Sequence, residues 1–296
     1  MAEPSDQNDL GQRQSSHFSA GPSDSTEQQE QPSTSTGNST SSAAPSVEEY
    51  LQKHHLGVYI SDMVGLLLQG STDVADPVIY AADYLTAVVA GHHVVGRSFT
   101  YIAATPHNRR TFLAVAKRTL AHVHRIGELS LEDFHSLLQL LCPDIPLRVV
   151  KSAFKAALGV WPQASTQGST RLAFDRLLRC MEVTFLYERY LLDLRNHAFS
   201  GRSHLAKPAG SVREAAALVE ASVTRSGWCA APDVVIQDAL QEACKAAASP
   251  SIHFDALVRA LCASERMRQH VQLENAASII AARANAAQIA DFDYLP

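Results

Sequence analysis

Helix-start signals that precede apolar residues at helical spacing constrain the fold of this chain most strongly. Ser46-Val47-Glu48-Glu49 has the spacing of a capping box, in which the Ser oxygen and the Glu carboxylate each accept a backbone amide of the other residue. Thr105-Pro106 supplies an N-cap and a first-turn proline. Ser130 and Asp133 repeat the capping pattern. Each signal opens an apolar stripe of helical period, and together they predict an all-α protein.

The first 45 residues differ in composition from the rest of the chain. They are rich in Ser, Thr, Gln and Pro and have almost no large apolar side chains. Such a segment cannot bury enough surface to offset the entropy lost on ordering, so we expect a disordered tail at 1–45.

The charge of the chain is concentrated in this tail. Residues 1–47 carry six acidic residues against Arg13, a net charge of -5, which equals the formal net charge of all 296 residues. The remainder is therefore neutral, whereas binding to a phosphate backbone needs clustered basic residues. We expect no nucleic-acid partner.

We expect a cytoplasmic protein with no membrane span. The most apolar stretch, Val78 to Val95, is interrupted by Asp83, His92 and His93, and no signal peptide is visible. The five cysteines are scattered and form no Cys-x-x-Cys pair, which is typical of reduced thiols in the cytosol.

Two helices are predicted after the tail. An apolar stripe runs from Tyr50 to Gly70, and Pro77 opens a second helix through Val89. This hairpin resembles the dimerisation and docking fold of the cyclic-AMP-dependent kinase regulatory subunit. It is too small to bury both apolar faces alone, so it pairs with a second copy or a related partner, or packs on its own domain. The candidate docking or dimer face comprises Tyr50, Leu51, Val64, Leu67, Leu68 and Tyr84.

A basic face is predicted on the helix from His107 to about Val123. No acidic residue occurs between 107 and 125, so this face suits an acidic partner such as a tubulin tail. The alternative, which charge patterns of this kind favour, is a merely solvated surface. The candidate partner-binding residues are Arg110, Lys117, Arg118 and Arg125.

The segment that follows has the layout of an EF-hand pair without calcium ligands. Gly127 falls at loop position 6 and Leu129 at position 8, which places His122, His124 and Ile126 where calcium needs oxygen ligands. In the second loop the ligand positions fall on Ser165, Gln167, Ser169 and Arg176. We expect no calcium, and no other metal or cofactor, because neither His54-His55 nor His92-His93 has ligand partners at suitable spacing.

A further helix-loop-helix pair is predicted near the C-terminus. Ile252 to Val258 repeats the pattern of an apolar loop residue before a helix start, with partner helices at 211–225 and 232–246. The Ala-rich end is predicted to be a helix that binds a partner or packs back on the domain. The expected regions are a tail at 1–45, a docking-type hairpin at 46–95, an EF-hand-like pair at 96–200, a helix-loop-helix region at 201–271 and an Ala-rich helix and tail at 272–296.

Two strings of residues resemble one protein family. Ala104-Thr105-Pro106-His107-Asn108-Arg109 and, later, Leu137 through Cys142-Pro143-Asp144 to Leu147 are similar to the centriolar satellite-associated tubulin polyglutamylase complex regulator family. The resemblance implies a non-catalytic regulator that binds subunits of that complex, with tubulin or microtubules as a further candidate partner, at centriolar satellites, basal bodies or cilia. It carries no catalytic residues.

The sequence also lacks the motifs of common enzymes. There is no phosphate loop, Gly-x-Ser-x-Gly or His-Glu-x-x-His motif, so we expect no catalysis. The competing hypothesis is a docking and dimerisation scaffold of a ciliary or signalling complex unrelated to glutamylation.

Overall fold

The computed structural model describes residues 46–69, 76–121, 127–158, 170–199 and 205–272. Most of these residues are helical, and the strands among them are two residues long. The all-α class is thereby confirmed. The predicted tail at 1–45, the Ala-rich segment beyond residue 272 and most of the ligand positions in the two calcium-type loops lie outside the described residues.

Of the first three helices, the first and the third begin where the sequence signals predicted. The three helices are α1 (Val47–Lys53), α2 (Leu56–Gln69) and α3 (Pro77–Ala90). Ser46 and Glu49 form the reciprocal capping box of α1, and Asp76 caps α3 ahead of Pro77. These caps satisfy backbone amides that a helix start otherwise leaves without partners.

The stripe from Tyr50 to Gly70 forms two helices, so the expectation of a single helix was wrong. The chain turns at His54 and His55, and His55 adopts a positive φ of 52°. The His55 ring packs edge-on against Trp228, with 5.1 Å between ring centroids. Gly227 permits this approach, because a Cβ there would lie 2.0 Å from the Lys53 carbonyl oxygen. A contact with a distant segment therefore fixes the break.

The rest of the described chain alternates helices with very short strands. The helices are α4 (Phe99–Ala103), α5 (Pro106–Thr119), α6 (Leu131–Gln139), α7 (Leu147–Leu158), α8 (Phe174–Leu186), α9 (Glu188–Ala198), α10 (Ala209–Arg225), α11 (Asp233–Ala247) and α12 (Phe254–Ala263). The strands are β1 (Glu128–Leu129), β2 (Leu172–Ala173), β3 (Lys207–Pro208) and β4 (Ser251–Ile252). The helices predicted at 211–225 and 232–246 are confirmed as α10 and α11.

The strands pair in the same way twice. β1 precedes α6 and pairs antiparallel with β2, which directly precedes α8. β3 precedes α10 and pairs antiparallel with β4, which precedes α12. Each pairing joins the starts of two helices that are separated by one intervening helix, so one arrangement of a strand pair and three helices occurs twice.

One hydrophobic core runs through both copies of this arrangement. Buried side chains from α4 to α12 form a single cluster that includes Phe112, Phe134, Phe185 and Tyr190. The helix α12 packs against α7 and α8 as well as against α11. A second, small cluster formed by Tyr59, Tyr84 and Val88 lies between α2 and α3. The first helices therefore have little apolar core of their own.

Candidate functional site

Exposed apolar side chains are concentrated on α1, α2 and α3. Leu68 is 80% exposed, and Val64 and Ile60 continue the same stripe at intervals of four residues along α2. Tyr50 and Leu51 of α1 are exposed and Leu67 is half-buried. On α3, the exposed large apolar residues are Val78, Ile79 and Leu85. Several large exposed apolar side chains on neighbouring helices are unusual in a solvated surface and are typical of an interaction face.

Tyr84, the remaining residue of the candidate docking face, is placed differently. Its side chain is buried, and its hydroxyl donates to the Asp62 carboxylate at 2.6 Å. The Tyr101 hydroxyl in turn donates to Tyr84 Oη at 3.0 Å. Burial and the Asp62 carboxylate raise the pKa of the Tyr84 phenol. Tyr84 therefore links α3 to α2 and α4.

A buried polar cluster joins α2 and α3 to the start of α5. The Tyr59 hydroxyl donates to Asn108 Oδ1 at 2.9 Å, so the Thr105 hydroxyl donates to Tyr59 Oη, also at 2.9 Å. Asn108 Nδ2 donates to the Tyr101 carbonyl at 2.8 Å. Burial raises the pKa of Tyr59 to about 12, and the phenol stays protonated. We call Tyr59, His93, Thr105, His107 and Asn108 the polar junction.

Two histidines complete the polar junction. His93 Nε2 donates to Asn108 Oδ1 at 2.8 Å, and His107 Nε2 donates to the Val88 carbonyl at 2.9 Å. Their rings stack in parallel with 5.3 Å between centroids. Burial lowers the pKa of His93, opposed by its bond to Asn108 and reinforced by His107. The geometry favours a neutral imidazole at position 93.

Arg109, next to the polar junction, joins distant parts of the fold. Its guanidinium donates to the carbonyls of Ala103 and Phe185 at 2.9 and 2.7 Å, and Nη1 lies 3.0 Å from the Glu188 carboxylate. The group also lies over the Trp228 ring, 4.8 Å from its centroid. Burial lowers the Arg109 pKa, and Glu188 opposes that shift. A planar group with several donors is needed for this set of contacts.

The second string of the family resemblance meets the first at α4. Asp144 Oδ1 accepts the backbone amide of Phe99 at 2.8 Å, at the first residue of α4. This bond lowers the pKa of Asp144. The string from Ala104 to Arg109 follows directly after the end of α4. Residues of both strings therefore lie next to the same short helix, at its start and at its end.

Three of the four candidate basic residues lie within the described part of the chain, and they differ in exposure and in contacts. Arg110 is half-buried, with Nη2 3.0 Å from Cys229 Sγ. Lys117 is exposed and lies 3.8 Å from the Glu182 carboxylate, and Arg118 is exposed. Arg125 lies outside the described residues. The structure thus places Lys117 and Arg118 together near the end of α5 and turns Arg110 toward the segment after α10.

Reasoning from the sequence missed Tyr59, Asn108 and Arg109 as structural residues. Asn108 and Arg109 lie four residues before Phe112 and Leu113, so helical spacing puts them on the apolar face of α5. Polar residues on a buried face need hydrogen-bond partners. That signal was available, but it does not identify the partners.

The described residues contain no group of three or more His, Cys, Asp or Glu side chains placed to hold a metal ion. In the same part of the chain, no helix is both long enough and apolar enough to cross a membrane.

The comparisons with known proteins found similar curated sequences. No protein-family model matches the chain. No solved structure is significantly similar to it.

The relatives share one name. The Mus musculus protein named centriolar satellite-associated tubulin polyglutamylase complex regulator 1 is 34% identical over 146 residues, which is 48% of this chain and 43% of that protein. The Danio rerio protein of that name is 32% identical over 148 residues, 49% of this chain and 43% of its own length. The Homo sapiens protein is 32% identical over 146 residues, with shares of 48% and 43%.

The similarity is partial on both sides. The matched segment spans less than half the length of these curated relatives. Over about half of its own length, this chain is therefore similar to proteins named as regulators of the tubulin polyglutamylase complex, which confirms the resemblance inferred from its sequence.

Proposed function

We propose that this chain is a non-catalytic adaptor that regulates a tubulin polyglutamylase complex and supports its assembly. The observation that carries this proposal is the 32–34% identity to relatives that are named as regulators of that complex. The name of these relatives includes centriolar satellites, and we propose the same cytoskeletal setting, or the basal body or cilium, for this chain. An adaptor needs a folded body and an exposed interaction surface, and the single large core together with the exposed apolar side chains supports this proposal.

The rigid body is proposed to be a pair of EF-hand-like units that have lost calcium binding. Leu129 and Leu172, both at loop position 8, are paired in the β1–β2 register, as the loops of an EF-hand pair are. Gly127, at position 6, has a positive φ of 95°, which suits the sharp turn of such a loop. The second strand pairing, β3–β4, supports a second pair of the same type in the C-terminal region.

The interaction surface is proposed to be the apolar face of α1 to α3. Its exposed members Val64 and Leu68 lie on the side of α2 opposite Tyr59, which is buried in the polar junction. The junction ties α2 to α5 through hydrogen bonds and leaves this face unoccupied by described residues. We propose that the face forms a homo- or heterodimer or binds a subunit of the complex.

A second contact is proposed at the end of α5. Lys117 and Arg118 are exposed there and fit an acidic segment such as a tubulin tail. The Lys117 ammonium lies 3.8 Å from Glu182, a separation that leaves it accessible to a competing carboxylate.

Removing the protein from ciliated cells tests the proposed function. The expected result is reduced glutamylation of axonemal tubulin, measured with an antibody against glutamate chains, with total tubulin unchanged. Re-expression of the full chain should restore the signal. Unchanged glutamylation in cells that lack the protein would contradict the proposal.

A docking scaffold unrelated to glutamylation is the second candidate. The exposed apolar face of α1 to α3 favours it, because such a face can form a dimer and hold an amphipathic helix of any partner. A monomer by light scattering at micromolar concentration would count against this candidate.

A further inference from the structure

A cleft between α8, α11 and α12 is separate from the proposed dimer face and from the α5 surface. Its volume is about 1010 Å³. Every aliphatic side chain that lines it is an alanine, and Cys180 and Cys262 complete the apolar lining. Short side chains leave room for another backbone to enter. The volume lies at the upper end of ligand sites, which are roughly 300 to 1,000 Å³, and so exceeds the needs of a single small anion.

The charged lining of the cleft is mainly basic. Four arginines, Arg176, Arg179, Arg259 and Arg268, face two glutamates, Glu242 and Glu265. Both glutamates already have basic partners: Glu242 lies 2.7 Å from Lys245, and Glu265 pairs with Arg268. The lining therefore keeps an excess of two positive charges.

No ion pair joins Arg176 or Arg179 to another residue in the part of the chain that the structure describes, and Arg179 lies near enough to Glu182 and Glu265 to favour the charged forms of both carboxyl groups. They are exposed and lie three residues apart on α8, so their side chains leave the helix on the same side. The thiol of Cys180 lies on the same helix, next to Arg179. A hydrogen bond from Cys262 lowers its pKa against the opposing effect of burial, and the Arg176 and Arg179 guanidinium groups contribute to the lowering.

Guanidinium groups in this arrangement match carboxylates. Each arginine can bind a carboxylate through two parallel hydrogen bonds. Neighbouring side chains on one helix face stand about 5 to 6 Å apart at Cβ. Side chains on one side of an extended peptide repeat every second residue, at about 6.6 Å. An extended chain of acidic residues can therefore meet both arginines at once while its backbone lies against the alanines.

We propose that this cleft binds a glutamate-rich peptide, with Arg176 and Arg179 as its principal carboxylate contacts. The ligand that matches the proposed function is the glutamate chain of modified tubulin, and that identification rests on the proposed function. Binding of the acidic peptide itself rests on the cleft alone.

The test is a binding measurement on the purified full-length chain. A fluorescein-labelled peptide of consecutive glutamates is titrated at low salt, and fluorescence anisotropy reports the dissociation constant. The expected result is saturable binding that weakens as salt is added, with no binding of a matched glutamine peptide. Equal binding of both peptides would overturn the proposal, and so would the absence of glutamate-peptide binding.

Paired variants locate the site. R176Q/R179Q should weaken binding of the glutamate peptide about tenfold, because two carboxylate contacts are removed. R148Q/R225Q removes the same charge from exposed arginines outside the cleft and should bind like the unaltered chain. Equal losses in the two variants would contradict the proposal. The single variants R176Q and R179Q, each with a smaller expected loss, serve if the double variant does not fold.

This measurement also separates the cleft from the proposed function. If the peptide binds in the cleft while cells lacking the protein keep normal glutamylation, the proposed function fails and the cleft assignment stands. If peptide binding is absent while glutamylation falls in those cells, the cleft assignment fails alone.

Discussion

The Tyr59 hydroxyl donates a hydrogen bond to Asn108 Oδ1 at 2.9 Å, across 49 residues of sequence. This bond links α2, whose opposite side carries the exposed apolar face, to the first turn of α5 in the main body. Polar contacts therefore connect the proposed interaction surface to the main core. The apolar cluster between α2 and α3 is small, with only Tyr59, Tyr84 and Val88 as its buried residues among those described.

Removing the Tyr59 hydroxyl should destabilise this attachment. We expect Y59F to lower the free energy of unfolding by about 1 kcal/mol, because the buried partners Thr105 and Asn108 each lose a hydrogen bond. Urea denaturation followed by circular dichroism measures the change. Y50F is the matched control, since Tyr50 is exposed, and it should unfold like the unaltered chain.

Arg109 should not tolerate replacement by lysine. R109K keeps the charge but loses the planar guanidinium that contacts Ala103, Phe185 and Glu188. We therefore expect the free energy of unfolding to fall by about 3 kcal/mol. The same denaturation assay applies. R189K, at an exposed arginine paired with Asp193, should change stability by less than about 0.5 kcal/mol. Equal effects of the two changes would show that the buried contacts of Arg109 contribute little.

Stability should fall on acidification because of His93. Its pKa in the fold is lowered below the unfolded value of about 6.5, so the unfolded chain binds more protons in mildly acidic solution. The free energy of unfolding should therefore decrease as the pH drops below 6.5. The slope from one such group is at most about 1.4 kcal/mol per pH unit.

Substitution of His93 tests that assignment. H93Q should reduce the slope of unfolding free energy against pH between 7.5 and 5, and some slope should remain because burial also lowers the pKa of His55. H92Q, at the exposed neighbour, should leave the slope unchanged. A slope that is the same in H93Q and in the unaltered chain would place the titrating group elsewhere.

The apolar face of α2 should control self-association. V64E/L68E places two charges on this exposed face, so we expect a loss of dimer with little change in the stability of the protomer. Analytical ultracentrifugation measures the association. V234E, at an exposed apolar position on α11, should remain dimeric. Dimers of unchanged affinity in V64E/L68E would exclude this face from the contact.

Local signals predicted the helix starts, and distant contacts decided the features that the sequence did not reveal. The caps at Ser46 and Ser130 depend on residues three positions away, and both formed as expected. The break at His55 depends on Trp228, which no periodicity in residues 46–70 can indicate. Arg110 was assigned to a basic surface because its own helix has no acids, but its guanidinium contacts Cys229, 119 residues away.

The candidate sites also divide into features that local sequence indicates and features that depend on distant contacts. Exposure of Val64 and Leu68 could be expected from an apolar stripe too broad for a small hairpin to bury. The cleft beside Arg176 and Arg179 could not, because it forms where α8 meets α11 and α12. Leu129 pairs with Leu172 across 43 residues of sequence, a contact that the pattern of either segment alone does not indicate.

Affinity purification of the tagged full-length chain from ciliated cells, with mass spectrometry of the proteins kept after a moderate salt wash, tests the central claim most directly. The account predicts recovery of a tubulin glutamate ligase together with its accessory subunits. Recovery of kinase-anchoring or axonemal scaffold proteins without any such ligase would contradict it.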